Sequence, residues 1–278
     1  MTGESGTVYL VGAGPGDPEL LTVRANNLIA EADVVLHDSL VGERIVSELP
    51  PASATVTSVG KRPETGRRWQ QEEINRYMVR KAETEETVVR LKCGDSTVFG
   101  RGGEEAEFLA EHGVPFEFVP GVTSAIAAPE VAGIPATHRD CASSLTVVTG
   151  HEDPTKDESA LDWGAIADNV AAGGTLVILM GVRRLSDNVA VLQKQGLSAD
   201  TPVAVVESAT HPDGSVMVAT LGTIVERSNE VGINPPATVV VGAVVDVRET
   251  VLSAFEESLL RTAPRTESRE NGPIKGYL

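Results

Sequence analysis

Aromatic residues are scarce in this chain: they make up 4% of 278 residues, against 41% hydrophobic residues overall. The core must therefore be built from Val, Ala, Leu and Ile, which suits a β-branched sheet covered by Ala-rich helices. Cysteine is scarcer still. Cys93 and Cys141 are the two present. Their spacing matches neither a metal site nor a redox pair, so no metal centre is expected and a cytoplasmic setting is the default. No apolar run reaches the ~18 residues of a membrane span. The opening MTGESGTVYLVGAG has no basic segment ahead of an apolar stretch, so no secretory signal is read. Basic residues are outnumbered, with 23 Lys and Arg against 40 Asp and Glu, a formal charge of −17. Such a surface repels phosphate, which argues against nucleic acid as a partner. The same acidic excess suits a protein that stays soluble in high salt.

The length accommodates two α/β domains or one large one. The stretch Val88–Glu105, VVRLKCGDSTVFGRGGEE, organises the reading. Val88, Val89 and Leu91 predict a buried strand. Cys93-Gly94-Asp95 turns the chain, Gly100-Arg101-Gly102-Gly103 makes a second corner, and Glu104-Glu105 is the acidic first turn of a helix. A strand, a tight turn and a helix start form a small-molecule site at the carboxyl edge of a sheet, or simply a corner in which glycine makes the turn.

Ahead of it, Thr7–Val11 predicts a strand that runs into Gly12-Ala13-Gly14-Pro15-Gly16-Asp17, a rigid loop that exposes backbone. The spacing fails the G-x-G-x-x-G dinucleotide pattern. A helix is predicted from Leu20-Leu21-Thr22 to Ala32, strands at 32–36 and 55–59, and an amphipathic helix at 70–82. His37-Asp38 lies just past a strand's carboxyl end, where ligand-facing residues of parallel sheets sit. Further strands are predicted at 116–119, 144–149, 175–180, 202–207 and 237–241, with an edge strand at 217–220 and helices at 125–132, 185–195 and 224–229. The expected division is an N-terminal α/β domain over 1–120, a junction over 121–150 and a C-terminal α/β domain over 151–250. An exposed loop is expected at 151–162, and a C-terminal helix with a disordered tail over 251–278.

With these pieces in order, the chain resembles the uroporphyrinogen-III C-methyltransferase family of tetrapyrrole methylases. The matching stretches are VGAGPGD, ADVVLHDSLV, VGKR, QQEEIN, VVRLKCGDSTVFGRGGEE, VPGVTSA, AGIPATHRD, VTGH and LMG. Each is weak alone, but together, over roughly 7–250, they are specific. The resemblance implies two α/β domains of the tetrapyrrole methylase type with the active site in the cleft between them, and a homodimer. It implies S-adenosyl-L-methionine (SAM) as methyl donor, S-adenosyl-L-homocysteine as its product, and conversion of uroporphyrinogen III to precorrin-2 by two successive methylations at C2 and C7. The family's cofactor positions fall on Pro15, Cys93, Gly94, Asp95, Val98, Thr123, Ser124, Met180 and Ala209, and its proton acceptor and donor on Asp38 and Lys61. Cys93 and Ser96 depart from the family's Gly-Gly-Asp-Pro, Ala209 replaces a common Gly, and Pro129-Glu130 replaces a more apolar pair.

A polycarboxylate substrate demands a local positive surface on so acidic a protein. Lys61, Arg62, Arg67 and Arg68 are the densest basic cluster, and Arg90, Lys92, Arg101, His138 and Arg139 add to it. Arginine suits bidentate carboxylate capture, whereas any one such residue read alone is a solvated surface charge. Asp95 reads as a polar contact to the cofactor or as a turn or capping aspartate. Asp38 reads as a carboxylate that takes the departing proton or as a loop-start aspartate satisfied by backbone amides. Met180 reads as a cofactor contact or as packing. Three other functions stay open: a later precorrin methylase, a SAM-sensing module without turnover, and a dehydrogenase, which the failed glycine spacing disfavours.

Overall fold

The computed structural model describes residues 6–60, 69–152, 154 and 159–262. It divides into two compact units, Met1–Ser124 and Ala125–Leu278.

The first unit is a five-stranded sheet of β1 (Thr7–Gly12), β2 (Val34–His37), β3 (Thr55–Ser58), β4 (Thr87–Lys92) and β5 (Phe116–Val119), in the order β3-β2-β4-β1-β5. Every pairing is parallel. Parallel strands need crossover connections, and four helices supply them: α1 (Val23–Ala30), α2 (Glu43–Glu48), α3 (Gln71–Ala82) and α4 (Gly102–Glu111). The period of two along each strand splits the core. Val8, Leu10, Val34, Leu36 and Val88 pack with Ile74 and Met78 of α3 and with Ala106 and Leu109 of α4. Val11, Val35, Val89 and Leu91 pack with Ala25, Leu28 and Ile29 of α1 and with Ile45 of α2. The first helix starts later than its apolar spacing predicts. Thr22 is its N-cap, with Oγ1 accepting from the Ala25 amide at 3.2 Å. Leu20 belongs instead to a short 3-10 turn, Pro18–Leu20.

In the second unit, α5 (Ser124–Val131) leads into β6 (Leu145–Thr149), α6 (Trp163–Ala171), β7 (Thr175–Leu179), α7 (Leu185–Lys194), β8 (Pro202–Glu207), β9 (Ser215–Thr220), α8 (Ile224–Val231), β10 (Ala237–Val241) and α9 (Val244–Thr262). The sheet order is β6-β7-β10-β8-β9. β6 and β7 are parallel, while β10 runs antiparallel to both β7 and β8, and β9 antiparallel to β8. Trp163 and Ile166, Leu185 and Leu192, and Ile224 bring α6, α7 and α8 onto Leu176, Ile178, Val203, Val205 and Val239. The expected tail beyond 262, and residues 153 and 155–158 of the expected loop, lie outside the described residues.

Candidate active site

The loops that leave β4, β1 and β5, neighbours in the sheet, are held together by glycine backbone. Gly14 and Gly94 form an antiparallel bridge, each amide donating to the other's carbonyl, at 3.1 and 2.7 Å. Both have φ +70°, a conformation open to glycine at little cost. A Cβ on Gly12 would meet the Gly121 Cα at 2.6 Å, and one on Gly121 would meet the Gly94 carbonyl oxygen at 2.4 Å. The three loops thus pack main chain against main chain, with no room for a side chain at Gly12 or Gly121. Pro15 is buried within this clasp, while Val98, Thr123 and Ser124 lie half-buried around it. An added Cβ on Gly94 would stand 3.7 Å from Thr123 and Ser124 main-chain atoms.

Cys93 is not among the residues with positive φ, so its side chain replaces hydrogen without backbone strain. Burial, helped by the nearby charge of Asp38, pushes the Cys93 thiol up to about 11. Asp95 acts as a clasp in its own loop. One oxygen accepts from the Thr97 amide at 2.8 Å and hydroxyl at 2.6 Å, and the other from the Gly121 amide at 3.1 Å. Partial burial disfavours its charge, but these donors outweigh that and hold its carboxyl below the ordinary carboxylate range.

Beside the clasp lies a buried ionic cluster. Arg90 and Lys92, expected on the substrate-facing rim, are 2% exposed and point into the protein. The strand period explains it: 88, 90 and 92 share the face turned toward α3 and α4, and Leu36 pairs in register with Arg90. Asp38, two residues past Leu36, follows on that same face. Glu105, which is wholly buried, accepts from Arg90 Nε at 3.1 Å, from Lys92 Nζ at 3.0 Å through each oxygen, and from Gln71 at 3.0 Å. Arg90 Nη2 donates to Asp38 Oδ1 at 2.6 Å, and Lys92 Nζ lies 3.8 Å from Asp38 Oδ2. Burial opposes the charge on Arg90, but Glu105 and Asp38 more than offset it, so the Arg90 pKa is raised. Burial, and then repulsion from Arg90, lowers that of Lys92. Glu105 escaped notice because an acidic residue in a first helical turn has a ready explanation. Its spacing with Leu109, one turn on, placed it on the buried face.

In the second unit, β6, β7 and β8 end at one edge of the sheet. Three residues there other than glycine adopt positive φ: Met180 at 57°, Ser208 at 46° and Thr210 at 69°. Each costs on the order of 1–3 kcal/mol, a strain that gathers at ligand sites. Met180 is 51% exposed, so it is not a packing residue. Ala209 lies between the two left-handed positions without being one, so a methyl is tolerated where glycine is common.

The remaining expected residues are scattered. Lys61, Arg62, Arg67 and Arg68 lie outside the described residues. Arg101 is exposed at the head of α4, φ 61°, its Nε 3.3 Å from Glu104. His138 sits in a tight turn closed by a bridge to Ala142, with its Nδ1 accepting from the Asp140 amide at 3.3 Å. Arg139, next to it, is exposed.

A parallel sheet with a glycine-clasped carboxyl edge, followed by a mixed sheet with strained strand ends, defines a class. Residues 7–225 match the family model of the tetrapyrrole (corrin/porphyrin) methylases, and the chain belongs to that family. Within it, the chain is 51% identical over 249 residues to an S-adenosyl-L-methionine-dependent uroporphyrinogen III methyltransferase of Methanosarcina barkeri, covering 90% of this chain and 96% of that protein. It is 46% identical over 247 residues to a uroporphyrinogen-III C-methyltransferase of Methanocaldococcus jannaschii, covering 88% and 99%. The uroporphyrin-III C-methyl transferase of Thermus thermophilus, solved with S-adenyl homocysteine, aligns with a TM-score of 0.74 at 43% identity, covering 87% of this chain and 100% of that one.

Proposed function

We propose that this chain is a SAM-dependent uroporphyrinogen-III C-methyltransferase. It converts uroporphyrinogen III to precorrin-2 by two successive methylations, at C2 and C7, on the route to sirohaem and cobalamin. The observation that carries this reading is the Val88–Glu105 run, which joins the Gly14–Gly94 clasp to a partly exposed carboxylate, Asp38, gripped from below by buried Arg90.

When bound, SAM supplies a methyl made electrophilic by its sulfonium. Pro15, Cys93, Gly94, Asp95, Val98, Thr123 and Ser124 of the first unit, with Met180 and Ala209 of the second, are the residues we assign to holding it. The clasp supports that task because its glycines bring three loop backbones together at the strand ends, and the Cys93 thiol stays neutral near neutral pH. A neutral thiol does not compete as a nucleophile for the methyl. Holding donor and acceptor in line accounts for much of the acceleration. Asp38 takes the proton that leaves the tetrapyrrole once the attacked carbon is quaternary, and Lys61 is the proton donor. Arg62, Arg67, Arg68, Arg101, His138 and Arg139 bind the substrate's carboxylates. The enzyme works as a homodimer in the cytoplasm, a reading supported by the family resemblance and tested by sedimentation velocity.

Anaerobic incubation with uroporphyrinogen III and SAM, followed by mass spectrometry, should show two successive methyl gains. A product that stops at none, or gain only with a later precorrin, would remove the reading. Asp38→Ala should lower turnover far more than SAM affinity. Charge reversal at Arg67 and Arg68 should raise the tetrapyrrole KM.

A further inference from the structure

The ionic cluster under Asp38 is more elaborate than a turn requires. A buried arginine and a buried lysine on one strand are matched by one buried glutamate, and only Asp38 reaches solvent, its side chain 36% exposed. Burying these charges is costly, and replacing such a cluster with apolar side chains is often neutral or stabilising. Its placement directly beneath the proposed proton acceptor points to a role beyond stability.

The Arg90 guanidinium is fixed on three sides. Its Nε donates to Glu105 at 3.1 Å, Nη1 to the Leu91 carbonyl at 3.3 Å and Nη2 to Asp38 Oδ1 at 2.6 Å. A planar fork anchored this way dictates where Oδ1 sits and hence how the carboxylate plane lies. The other oxygen, Oδ2, has Lys92 Nζ only at 3.8 Å, beyond hydrogen-bond reach. Around Asp38, among the described residues, the charged or titratable groups are Arg90, Lys92 and Cys93 from β4 and the turn after it, Glu105 from α4, and His37 on its own strand. The His37 ring is engaged by the Asp38 main-chain carbonyl at 3.0 Å and leaves the carboxylate alone.

We infer that Arg90 is a positioning residue for the methyl-transfer reaction: held by Glu105, it pins Asp38 Oδ1 and presents Oδ2 as the oxygen that receives the tetrapyrrole proton. Lys92 Nζ donates to both Glu105 oxygens at 3.0 Å, so the anchor does not shift. Asp38 gains a proton and the substrate loses one, and Arg90 takes no part in the transfer. This inference rests on the proposed function and on the role of Asp38 in it.

A double-mutant cycle in the full chain tests it, read as kcat under anaerobic conditions with uroporphyrinogen III. Asp38→Asn should lower kcat by about 10²-fold or more, the span of general-base catalysis. Arg90→Gln should lower kcat by about tenfold or more while leaving the KM for SAM within about twofold, a split expected of a group acting in the transition state. In the Asp38→Asn background Arg90→Gln should add nothing, because Arg90 acts through the carboxylate that is gone. If Arg90→Gln folds poorly, Arg90→Met/Glu105→Gln removes one charge of each sign and enters the same cycle. A negligible effect of Asp38→Asn would overturn the assignment of Asp38 beneath the inference. A large Asp38→Asn effect on which Arg90→Gln multiplies in full would overturn the inference alone.

Discussion

Cys93 stands where the family resemblance implies glycine, and its neighbourhood decides how it behaves. Burial first, then the charge of Asp38, raises its pKa to about 11. In the unfolded chain a thiol ionises near ~8.5, so the folded protein holds this proton more tightly. The stability contributed is fully present below that unfolded value and is lost as pH rises toward 11. In a Cys141→Ser background, iodoacetamide labelling of Cys93 followed by mass spectrometry should be slow at pH 8 and accelerate only toward pH 11. Asp95 carries the opposite sign. Its pKa is depressed, net, by the Thr97 and Gly121 donors, so its contribution is present above the unfolded value near ~3.9 and is lost as pH falls through the folded one. Asp95→Ala should cost about 1–3 kcal/mol in urea denaturation at pH 7. Its difference from the parent should shrink as the pH of the experiment falls below 4.

At the scale of elements, glycine divides into positions that close a contact and positions that fill none. Gly121→Ala would press a methyl to 2.4 Å from the Gly94 carbonyl and 2.6 Å from Gly12. All of those neighbours are backbone, so the loops themselves must part, at about 1–3 kcal/mol. S-adenosylhomocysteine binding, measured by calorimetry, should weaken at least tenfold. Gly103 in the first turn of α4 has nothing within 4 Å of an added Cβ. Gly103→Ala should therefore raise stability by about 0.4–1 kcal/mol through the unfolded state. The strands were legible because β-branched runs end in glycine or proline, as at β10. Two helices were not. The second, Glu43–Glu48, has one buried residue, Ile45, and no side-chain cap. The sixth does carry a readable signal, with Asp162 accepting from Ala165 at 3.0 Å and Trp163, Ile166, Ala167 and Val170 buried along one side. Gly164 within it and Gly173-Gly174 just past its end weaken the propensity of that stretch, and no helix is expected there from spacing alone. The glycines at 12–16 and 94 mark tight turns in the sequence, but their pairing of Gly14 with Gly94 and the ionic cluster are visible only in the fold. Arg90 and Lys92 read as surface charge in the sequence because burial of a cation depends on a partner from another element, and Glu105 lies on α4. Alternation along β4 gave the direction of both side chains without naming that partner.

For the whole molecule, charge sets the response to salt. A net charge of −17 makes the compact state repel itself at low ionic strength. The screening length falls from about 30 Å in 0.01 M salt to about 3 Å at 1 M, so that repulsion fades while contacts made at hydrogen-bond distance persist. Exposed pairs such as Arg24–Glu117, at 2.8 Å with both side chains about half exposed, are screened along with it. Pairs of that kind contribute little to stability in any case. The buried Arg90–Glu105 pair, by contrast, sits at 3.1 Å away from water, where dissolved ions do not reach. The two effects separate in one titration. The melting temperature should climb by several degrees between 0.01 and 0.5 M KCl and then level off, and kcat should survive into molar KCl because Asp38 is held at hydrogen-bond distance by a buried guanidinium. A melting temperature that falls steadily with KCl would mean that exposed ion pairs hold the molecule together. A kcat lost in molar salt at constant fold would place the working carboxylate in open solvent, outside the grip of Arg90.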